Sequence, residues 1–466
     1  MNYWEMRTAL SKVIPRKQLL MDGLTDISKG WIKEKGRKKN YSEFDLMSGE
    51  WEKSERLLSK DRIESFVEIS CHASECPMPL NLDVWDGLVC PYNCIYCFAN
   101  QFRSSLYTSF FDNAREIGLR YSEPKEIWKR IKGYLDGKGE ADLVKAFQNR
   151  IPVRFGIRFE DFLPIERKKG ISLTLLKRLR DIEYPVMINT KSTIVAEGDY
   201  LEALAGNKAG AAVHITLLTT DDKLSKALDQ HSPSPSARLK AAKVLSDAGV
   251  RVVLRIEPFG VFLNDEKGLT EDYIGKAVDA GCAHMTFDTY SYPAKWPGVR
   301  RGFEREGIDF HRMFLATSDC QWLGSYMLNK FMGEFRKAEI SCSTFDFGSI
   351  PDNDDDICCC VDDAFKDVNF SMGNILSAAR FIQSRRGCDV TWGQFDLYVE
   401  ANGGWLSIPI KNKVHGYWNL DNNSPYNLSW VRGLKECGTD RDGNLIWTFD
   451  KKSDFRESLF NHLIGG

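Results

Sequence analysis

Between residues 82 and 290, short β-rich runs alternate regularly with stretches of helical periodicity. The runs are nearly continuous in apolar residues, and stretches such as EPKEIWKRIKGYL and SARLKAAKVLSDAG lie between them. Apolar strands that alternate with helices predict a parallel sheet whose outer face is covered. The six predicted strands are LDVWDGL (82–88), PVRFGI (152–157), YPVMIN (184–189), AAVHIT (211–216), VRVVLRI (250–256) and CAHMTF (282–287).

Six strand–helix units indicate the α/β class and fit a partial (β/α)6 barrel of the TIM type, or less specifically an open α/β sheet. In both folds the functional loops gather at the carboxyl ends of the strands. We predict four regions, which are a basic N-terminal extension (1–80), the barrel (81–340), a connector rich in cysteine and acid (341–370) and a small, aromatic-rich α+β module (371–466).

The C-terminal module has a different pattern from the barrel. MGNILSAARFIQSRR predicts a helix, whereas DVTWGQFDLYVEANGGWLSIPI and NLIWTFD predict short strands separated by Gly and Asn turns.

The cysteines indicate a reducing compartment. The chain has 13 of them, an odd number, and they are clustered rather than spread as in a disulfide framework. No apolar run reaches the ~18 residues that span a membrane, and the first residues lack the apolar core of a signal peptide. We therefore expect a cytoplasmic protein with no membrane partner. A formal net charge of −2 does not make the whole chain a binder of polyanions or polycations.

The segment CPYNCIYCFAN (90–100) holds three cysteines in eight positions, namely Cys90, Cys94 and Cys97. Thiolates are soft ligands that suit zinc or iron–sulfur clusters. Three thiolates on one loop can hold three irons of a cubane and leave the fourth iron open to a small molecule. A structural zinc site is the alternative, and it would need a fourth ligand such as Cys76 or His72.

This CxxxCxxC segment after the first barrel strand resembles the radical S-adenosylmethionine (SAM) superfamily, and the aromatic residues Tyr96 and Phe98 fit the same pattern. The resemblance implies a [4Fe-4S] cluster on the three cysteines, with SAM chelated to the open iron. It implies reductive cleavage of SAM to a 5′-deoxyadenosyl radical, which abstracts hydrogen from a substrate. It also implies a flavodoxin- or ferredoxin-like electron donor.

A closer resemblance covers residues 83–290. The segments VRFGIRFEDFLPIE (153–166), NTKSTIV (189–195) and EPFGVFLND (257–265), with the Ser-Pro segment inside 213–254, resemble the spore photoproduct lyase-like branch. Two features depart from that branch. No cysteine lies between Cys97 and Cys282, where the lyases have a hydrogen-donating cysteine, and ALDQHSPSP replaces the branch's Leu-Glu-Pro. The repair reaction is therefore not implied.

The resemblance also implies roles for residues at the strand ends. Lys191 would face the SAM carboxylate as a point charge, and Ser192 and Thr216 would reach the ribose. Arg255 and Glu257 would either contact the cofactor or form an ion pair, because charges in an apolar run need partners. The residues predicted on the substrate side are Arg158, Glu160, Asp161 and Asp288.

A second cysteine group, Cys342, Cys358, Cys359 and Cys360, lies in an acidic segment. It suggests an auxiliary iron–sulfur cluster or a thiol site. Because side chains of an extended segment alternate in direction, the three adjacent cysteines do not all face one site. An acidic loop with partly buried thiols is the alternative.

Two regions favour a nucleic-acid or nucleotide substrate. Residues 1–40 contain ten Lys and Arg against four acids, and the C-terminal module interleaves aromatic residues with Lys411, Lys413 and Arg432. The leading hypothesis is a radical SAM enzyme that acts on a nucleobase in DNA or on a nucleotide. One alternative is radical modification of a peptide or small metabolite assisted by a second cluster. Another is a zinc-stabilised nucleic-acid-binding protein without catalysis.

Overall fold

The computed structural model of the 466-residue chain describes most of the predicted barrel and parts of both flanks. The described residues are 1–14, 69–71, 80–87, 90–97, 119–282, 284–289, 297–317, 321–344, 364–366, 368, 372–373, 381–382, 384–385, 388–402, 405–406, 434–439, 441, 445–449 and 456–465.

An eight-stranded sheet forms the centre of the fold, in the order β1-β2-β5-β6-β7-β8-β9-β10. Strand β1 is antiparallel to β2, and the remaining seven strands run parallel to one another. The strands up to β10 are β1 (Ile69–Cys71), β2 (Leu80–Leu82), β3 (Trp85–Asp86), β4 (Arg120–Tyr121), β5 (Val153–Phe155), β6 (Val186–Thr190), β7 (Ala211–Thr216), β8 (Arg251–Phe259), β9 (His284–Thr289) and β10 (Ser341–Thr344). Neighbours in the sheet follow chain order, as in a (β/α) barrel.

Helices connect consecutive parallel strands, and further helices lie before and after the main sheet in the chain. They are α1 (Tyr3–Val13), α2 (Pro124–Leu135), α3 (Ala141–Gln148), α4 (Glu166–Lys169), α5 (Ile171–Asp181), α6 (Gly198–Ala205), α7 (Asp222–Leu228), α8 (Pro235–Asp247), α9 (Lys267–Asp279), α10 (Pro297–Arg305), α11 (Phe310–Thr317), α12 (Gln321–Arg336), α13 (Trp392–Ala401) and α14 (Arg456–Gly465). Local signals fix several of these starts. Helix α8 begins at Pro235 after Ser234, whose Oγ accepts the N–H of Ala237 at 3.3 Å.

The two faces of the sheet differ in polarity. In β9, Phe287 packs against Phe331 and Phe335 of α12, with ring centroids 6.0 and 5.1 Å apart, so this face is covered by helices. Side chains alternate along a strand, and His284 and Thr286 therefore point to the inner face. Polar inner positions continue across the sheet in register, and they include Arg154, Asn189, His214, Arg255 and Ser343.

The predicted α/β class and barrel-type fold are confirmed, with three corrections. The sheet has seven parallel strands rather than six, because β10 adds a strand just beyond residue 340. The predicted strand 82–88 is two short strands, of which β2 joins the main sheet and β3 pairs antiparallel with β4. The strands are not uniformly apolar, because one face lines the interior. The four domain boundaries stay a prediction.

The C-terminal region contains small sheets. Strands β11 (Met372–Gly373) and β13 (Trp405–Leu406) pair with each other, and β15 (Leu445–Phe449) pairs with β12 (Val390–Thr391) and β14 (Leu434–Thr439). The strand predicted at NLIWTFD is confirmed as β15. Within DVTWGQFDLYVEANGGWLSIPI, strands are confirmed at β12 and β13. The prediction is wrong between them, because Trp392–Ala401 is the helix α13, which begins with a capping box at Thr391 and Gln394.

Both terminal helices contact the barrel. The ring of Tyr3 in α1 lies 5.1 Å from that of Phe331, and the ring of Phe460 in α14 lies 5.8 Å from that of Tyr326. Within the described residues, the helices lack the length and apolar character needed to cross a bilayer.

Candidate active site

The three cysteines lie on a short turn that begins eight residues after β2 ends. The Asn93 N–H donates to the Cys90 carbonyl at 2.9 Å, and the Cys97 N–H donates to the Cys94 carbonyl at 3.1 Å. Asn93 has φ 46°, a left-handed conformation that asparagine tolerates better than most residues. None of the three cysteines is in a disulfide, and Cys94 is buried whereas Cys90 and Cys97 are partly buried. The turn thus gathers three thiols within eight residues.

A second segment, residues 228–231, supports this turn from α7. The Ile95 N–H donates to the Leu228 carbonyl at 3.0 Å, and the His231 N–H donates to the Tyr92 carbonyl at 3.3 Å. The side-chain amide of Asn93 donates to Gln230 at 3.0 Å. On another side, α10 lies close to the turn, because a Cβ added at Gly302 would come within 3.2 Å of the Ile95 Cβ. The cysteine turn is therefore held by several elements of the barrel.

A buried ion pair lies beneath the turn. Tyr96, between Cys94 and Cys97, donates its hydroxyl to Asp229, and Asp229 accepts from the Arg238 guanidinium at 2.7 Å. The side chains of Arg238 and Asp229 are 0% and 1% exposed. Arg238 also donates to the carbonyls of Pro233 (2.8 Å) and Thr216 (2.9 Å) and to Ser232 Oγ (3.0 Å).

The hydrogen bonds of Arg238 explain the conformation of the Ser-Pro loop, residues 229–238. Residues 229–238 wrap around one guanidinium, whose donors are shared between the loop itself and the end of β7. A charged group can be buried when it is paired and fully hydrogen-bonded.

Sequence reasoning missed Asp229 and Arg238. Two opposite charges nine residues apart, around a Ser-Pro loop that follows a buried strand, were the available signal.

Lys191 lies directly after β6, and its ammonium is 5.3 Å from the centre of the Tyr96 ring, a cation–π distance. Burial lowers the pKa of Lys191, but the charges of Cys94 and Asp229 outweigh it and raise the pKa overall. Lys191 therefore carries its positive charge beside the cysteine turn, where the sequence predicted a contact with a carboxylate.

The thiols are electrostatically coupled. Burial raises the pKa of Cys90 to about 12, and Cys97 and Glu160 add to this rise. Burial also raises the pKa of Cys94 well above its usual range, while Lys191 lowers it. Deprotonating such buried thiols requires a compensating positive charge, which bound metal supplies. The donor set therefore fits an iron–sulfur cluster.

No three His, Cys, Asp or Glu side chains among the described residues surround one metal-ion position. Three cysteines that hold a cubane need not converge on a point, because each ligates a different iron. Cys76 and His72, the fourth ligands considered for zinc, and the aromatic Phe98 lie outside the described residues.

Glu160 joins the cysteine turn to the end of β6. Its carboxylate accepts the Thr190 hydroxyl at 2.6 Å and the backbone N–H groups of Lys191 (2.9 Å) and Phe162 (3.0 Å). Burial raises its pKa although these bonds lower it. Ser192 is buried on the same stretch, and its side chain bonds that of Tyr92 in the cysteine turn. Cys90, Glu160, Lys191 and Ser192 thus come together at one place.

The carboxylate of Asp161 bonds backbone groups. It accepts the N–H groups of Val84 (2.9 Å), Trp85 (3.1 Å) and Gly156 (2.9 Å), and the residue is fully buried. Asp83 similarly accepts the N–H of Arg158 at 2.9 Å. These bonds connect the chain after β2 to the end of β5, so Asp161 supports the strand ends on which the cysteine turn depends.

The remaining predicted residues lie at the next strands. Thr216 is buried opposite Arg255 in the sheet register. Arg255 and Glu257 form an ion pair, and their side chains are 19% and 22% exposed. Asp288 is partly buried near the end of β9. These polar side chains lie towards the carboxyl ends of β7, β8 and β9, where they would line an opening of the sheet's inner face.

Cys342 lies elsewhere. It is buried in β10 opposite Met285 and thus on the helix-covered face, with its thiol 3.9 Å from the Met332 carbonyl of α12. The structure does not bring Cys342 to the cysteine turn. Cys358, Cys359 and Cys360 lie outside the described residues.

The interior of the sheet contains polar atoms that sequence reasoning missed. Asn189 Oδ1, His214 Nε2 and Thr286 Oγ1 are buried without a hydrogen-bond partner among the described residues. Burial lowers the pKa of His214 far below its usual value, and Arg255 lowers it further, so the ring is neutral. Such atoms usually bond water or a ligand. The available signal was the polar residue inside each apolar run, as in VMINT, AAVHIT and HMTF.

Part of the chain matches a known family model. Residues 87–267 match the Radical SAM superfamily model, a range that contains the cysteine turn and the four parallel strands β5, β6, β7 and β8. Among proteins of curated function, none matches this sequence.

Several solved structures are similar at low identity. SuiB of Streptococcus suis bound to S-adenosylmethionine shares 15% identity with a TM-score of 0.39, over 59% of this chain and 53% of SuiB, so this chain spans about half of that protein. A spore photoproduct lyase variant with bound AdoMet and dinucleoside spore photoproduct shares 13% identity with a TM-score of 0.45, over 69% of this chain and 93% of the lyase. SuiB bound to the precursor peptide SuiA shares 14% identity with a TM-score of 0.37, over 74% and 67% of the two chains. The cysteine turn, residues 90–97, lies inside the range that matches the Radical SAM superfamily model.

Proposed function

We propose that this protein is a radical SAM enzyme whose [4Fe-4S] cluster is held by Cys90, Cys94 and Cys97. The observation that carries the proposal is the cysteine turn itself, which gathers three thiols beside the ammonium of Lys191 at the carboxyl end of the sheet. When bound, the cluster and SAM supply an adenosyl radical that abstracts hydrogen from a substrate.

The protein's own residues bind and orient SAM. Lys191 neutralises the SAM carboxylate as a partly buried point charge. Ser192 and Thr216, both buried at strand ends, offer hydroxyls to the ribose. The Arg255–Glu257 pair borders the same opening and orients either cofactor or substrate. Phe98 remains a predicted cofactor contact.

The proposed substrate is a nucleobase in DNA or a nucleotide. Arg158 and Arg255 at the ends of β5 and β8 are partly buried cations, and burial lowers the pKa of Arg158. Such cations attract phosphate groups. The basic residues 1–40 add to this attraction. Arg158, Glu160, Asp161 and Asp288 stay predicted on the substrate side, the first and last by direct contact and the buried carboxylates by support.

The central experiment is anaerobic reconstitution of the full chain with iron and sulfide. We expect a brown protein with about four irons that releases 5′-deoxyadenosine when SAM and dithionite are added. Cys94→Ala should lose both the iron and the product. Cys388→Ala, which removes an exposed thiol in the C-terminal region, is the matched control and should keep both. Zinc without iron in the wild-type protein, or no deoxyadenosine from it, would contradict the proposal.

The substrate class is tested by stimulation of SAM cleavage. A DNA oligonucleotide or nucleotide should raise deoxyadenosine formation, and an unrelated peptide of equal concentration should not. The reverse result would favour radical modification of a peptide.

About eight irons per chain would indicate the auxiliary cluster suggested by Cys342 and Cys358–Cys360. A flavodoxin- or ferredoxin-like donor should replace dithionite. The cytoplasmic location stays a prediction.

A further inference from the structure

We propose that Asp229 lowers the reduction potential of the cluster, because it places one buried negative charge directly beneath the cysteine turn. This inference rests on the proposed function, because it requires a cluster on Cys90, Cys94 and Cys97. In this inference, Asp229 is a positioning residue that acts on the cluster through the negative charge of its carboxylate.

The geometric basis is the link between Asp229 and the turn. Tyr96 stands between two of the three cysteines, and its hydroxyl donates to Asp229. The residue before Asp229 accepts the Ile95 N–H at 3.0 Å, and the residue after it accepts from Asn93 at 3.0 Å. Asp229 is therefore fixed relative to the turn by three separate hydrogen bonds, and its carboxylate is shielded from solvent.

The electrostatic basis is the balance of buried charge. Two cations and one anion lie at the same turn: the Lys191 ammonium is 5.3 Å from the Tyr96 ring, and Asp229 accepts from the Tyr96 hydroxyl and, at 2.7 Å, from Arg238. Reducing the cluster adds one electron, supplied by dithionite, and breaks no bond. A nearby anion opposes that added negative charge, whereas the two cations favour it, and burial strengthens both effects. Without Asp229 the cations would be only partly compensated and reduction would be easier.

The test is a spectroscopic redox titration of the reconstituted full chain. Asp229→Asn should make the midpoint potential more positive by about 59 mV. For a one-electron couple, this shift corresponds to a tenfold change in the reduction equilibrium. Asp229→Glu keeps the charge and should stay close to the wild-type potential. Asp247→Asn is the matched control, because Asp247 is an exposed carboxylate paired with Lys243 at the far end of α8.

Tyr96→Phe separates charge from geometry, since it removes the tether and keeps the Asp229 carboxylate. We expect it to leave the potential near the wild-type value. An unchanged potential in Asp229→Asn, or an equal shift in Tyr96→Phe, would overturn the inference. Wild-type protein that binds no cluster would instead overturn the proposed function.

Asp229→Asn leaves the Arg238 charge buried alone, which can prevent folding or loading. In that case the double variant Asp229→Asn/Arg238→Gln removes both charges. It should load and show a smaller positive shift, because Asp229 bonds Tyr96 of the turn directly, whereas Arg238 bonds Asp229 behind it. A zero or negative shift overturns the inference. If only Asp229→Glu loads, the carboxylate serves cluster assembly rather than potential, which also overturns it.

Discussion

Two loops of this protein are built around the same three side-chain types, and they use them differently. After β7, the carboxylate of Asp229 accepts from the hydroxyl of Tyr96 and from Arg238 at 2.7 Å. After β8, the carboxylate of Asp265 accepts from the hydroxyl of Tyr3 at 2.5 Å and from Arg7 at 2.9 Å. Both aspartates are buried.

The difference lies in the arginine. Arg238 is 0% exposed, comes from the next helix and bonds four acceptors around its own loop. Arg7 is 27% exposed, comes from the N-terminal helix α1 and lies 5.1 Å from the Phe262 ring. The first group organises the loop that supports the cysteine turn, whereas the second fastens a distant helix to the sheet.

The pKa values of the two aspartates follow this difference. Burial alone would raise both. At Asp229 the charges of Arg238 and Lys191 outweigh burial and lower the pKa. At Asp265 burial outweighs Arg7 and raises the pKa. Asp229 is thus the better compensated of the two, and removing its cation should cost more.

The largest effect on stability is expected from Arg238→Met. The substitution leaves Asp229 buried without its main cation and leaves the Thr216 and Pro233 carbonyls without a donor. We expect a loss of about 3–5 kcal/mol in the apparent free energy of unfolding, measured by urea denaturation. Lys243→Met on the same helix breaks an exposed pair and should cost under about 1 kcal/mol. Similar losses in the two variants would contradict the role given to Arg238.

The comparison also shows what the sequence can predict. The order of strands and helices was predictable because each element has its own period and its own stop signal, as with Gly170 between α4 and α5. The cysteine turn was predictable because its ligands are consecutive in the chain. Asp229 was not, because its role depends on contact with Tyr96, 133 residues earlier.

Helix α13 is an element whose type was wrongly predicted from the local sequence. WGQFDLYVEA alternates enough aromatic and β-branched residues to indicate strand, yet it is a helix. Its capping box at Thr391, and the packing of the Phe395 and Tyr398 rings against Phe381, at 5.6 and 4.6 Å, outweigh local β propensity. The capping box can be read from the four residues Thr391–Gln394, whereas the ring contacts with Phe381 cannot be derived from a short window of sequence.

Glu166 is a third buried carboxylate, and its hydrogen-bond donors are neutral groups rather than an arginine. It accepts from the Trp85 indole at 2.8 Å and from the Leu173 N–H at 3.2 Å. Burial raises its pKa from 4.5 to about 7. Because the folded state holds the proton more tightly, the stability from this group is present below pH 4.5 and is lost as the pH rises to about 7.

Glu166→Gln should remove this pH dependence. Between pH 4.5 and pH 8 the wild type should lose roughly 3 kcal/mol more than the variant, measured by urea denaturation at each pH. Glu197→Gln, at an exposed carboxylate paired with Arg167, is the matched control and should retain the wild-type profile. Parallel profiles for wild type and Glu166→Gln would show that the folded protein does not favour the protonated acid.

Arg7→Met should have the smallest of these effects, about 1–2 kcal/mol. The ion pair is partly exposed, Tyr3 still donates to Asp265, and the Tyr3 ring remains against Phe331. The loss should be local, because α1 can detach without disturbing the cysteine turn. Hydrogen exchange of Tyr3–Val13 should therefore accelerate while that of β7 stays unchanged. If β7 exchanged faster too, or if the loss equalled that of Arg238→Met, the two buried aspartates would be energetically equivalent and the distinction between a site-organising pair and a fastening pair would fail.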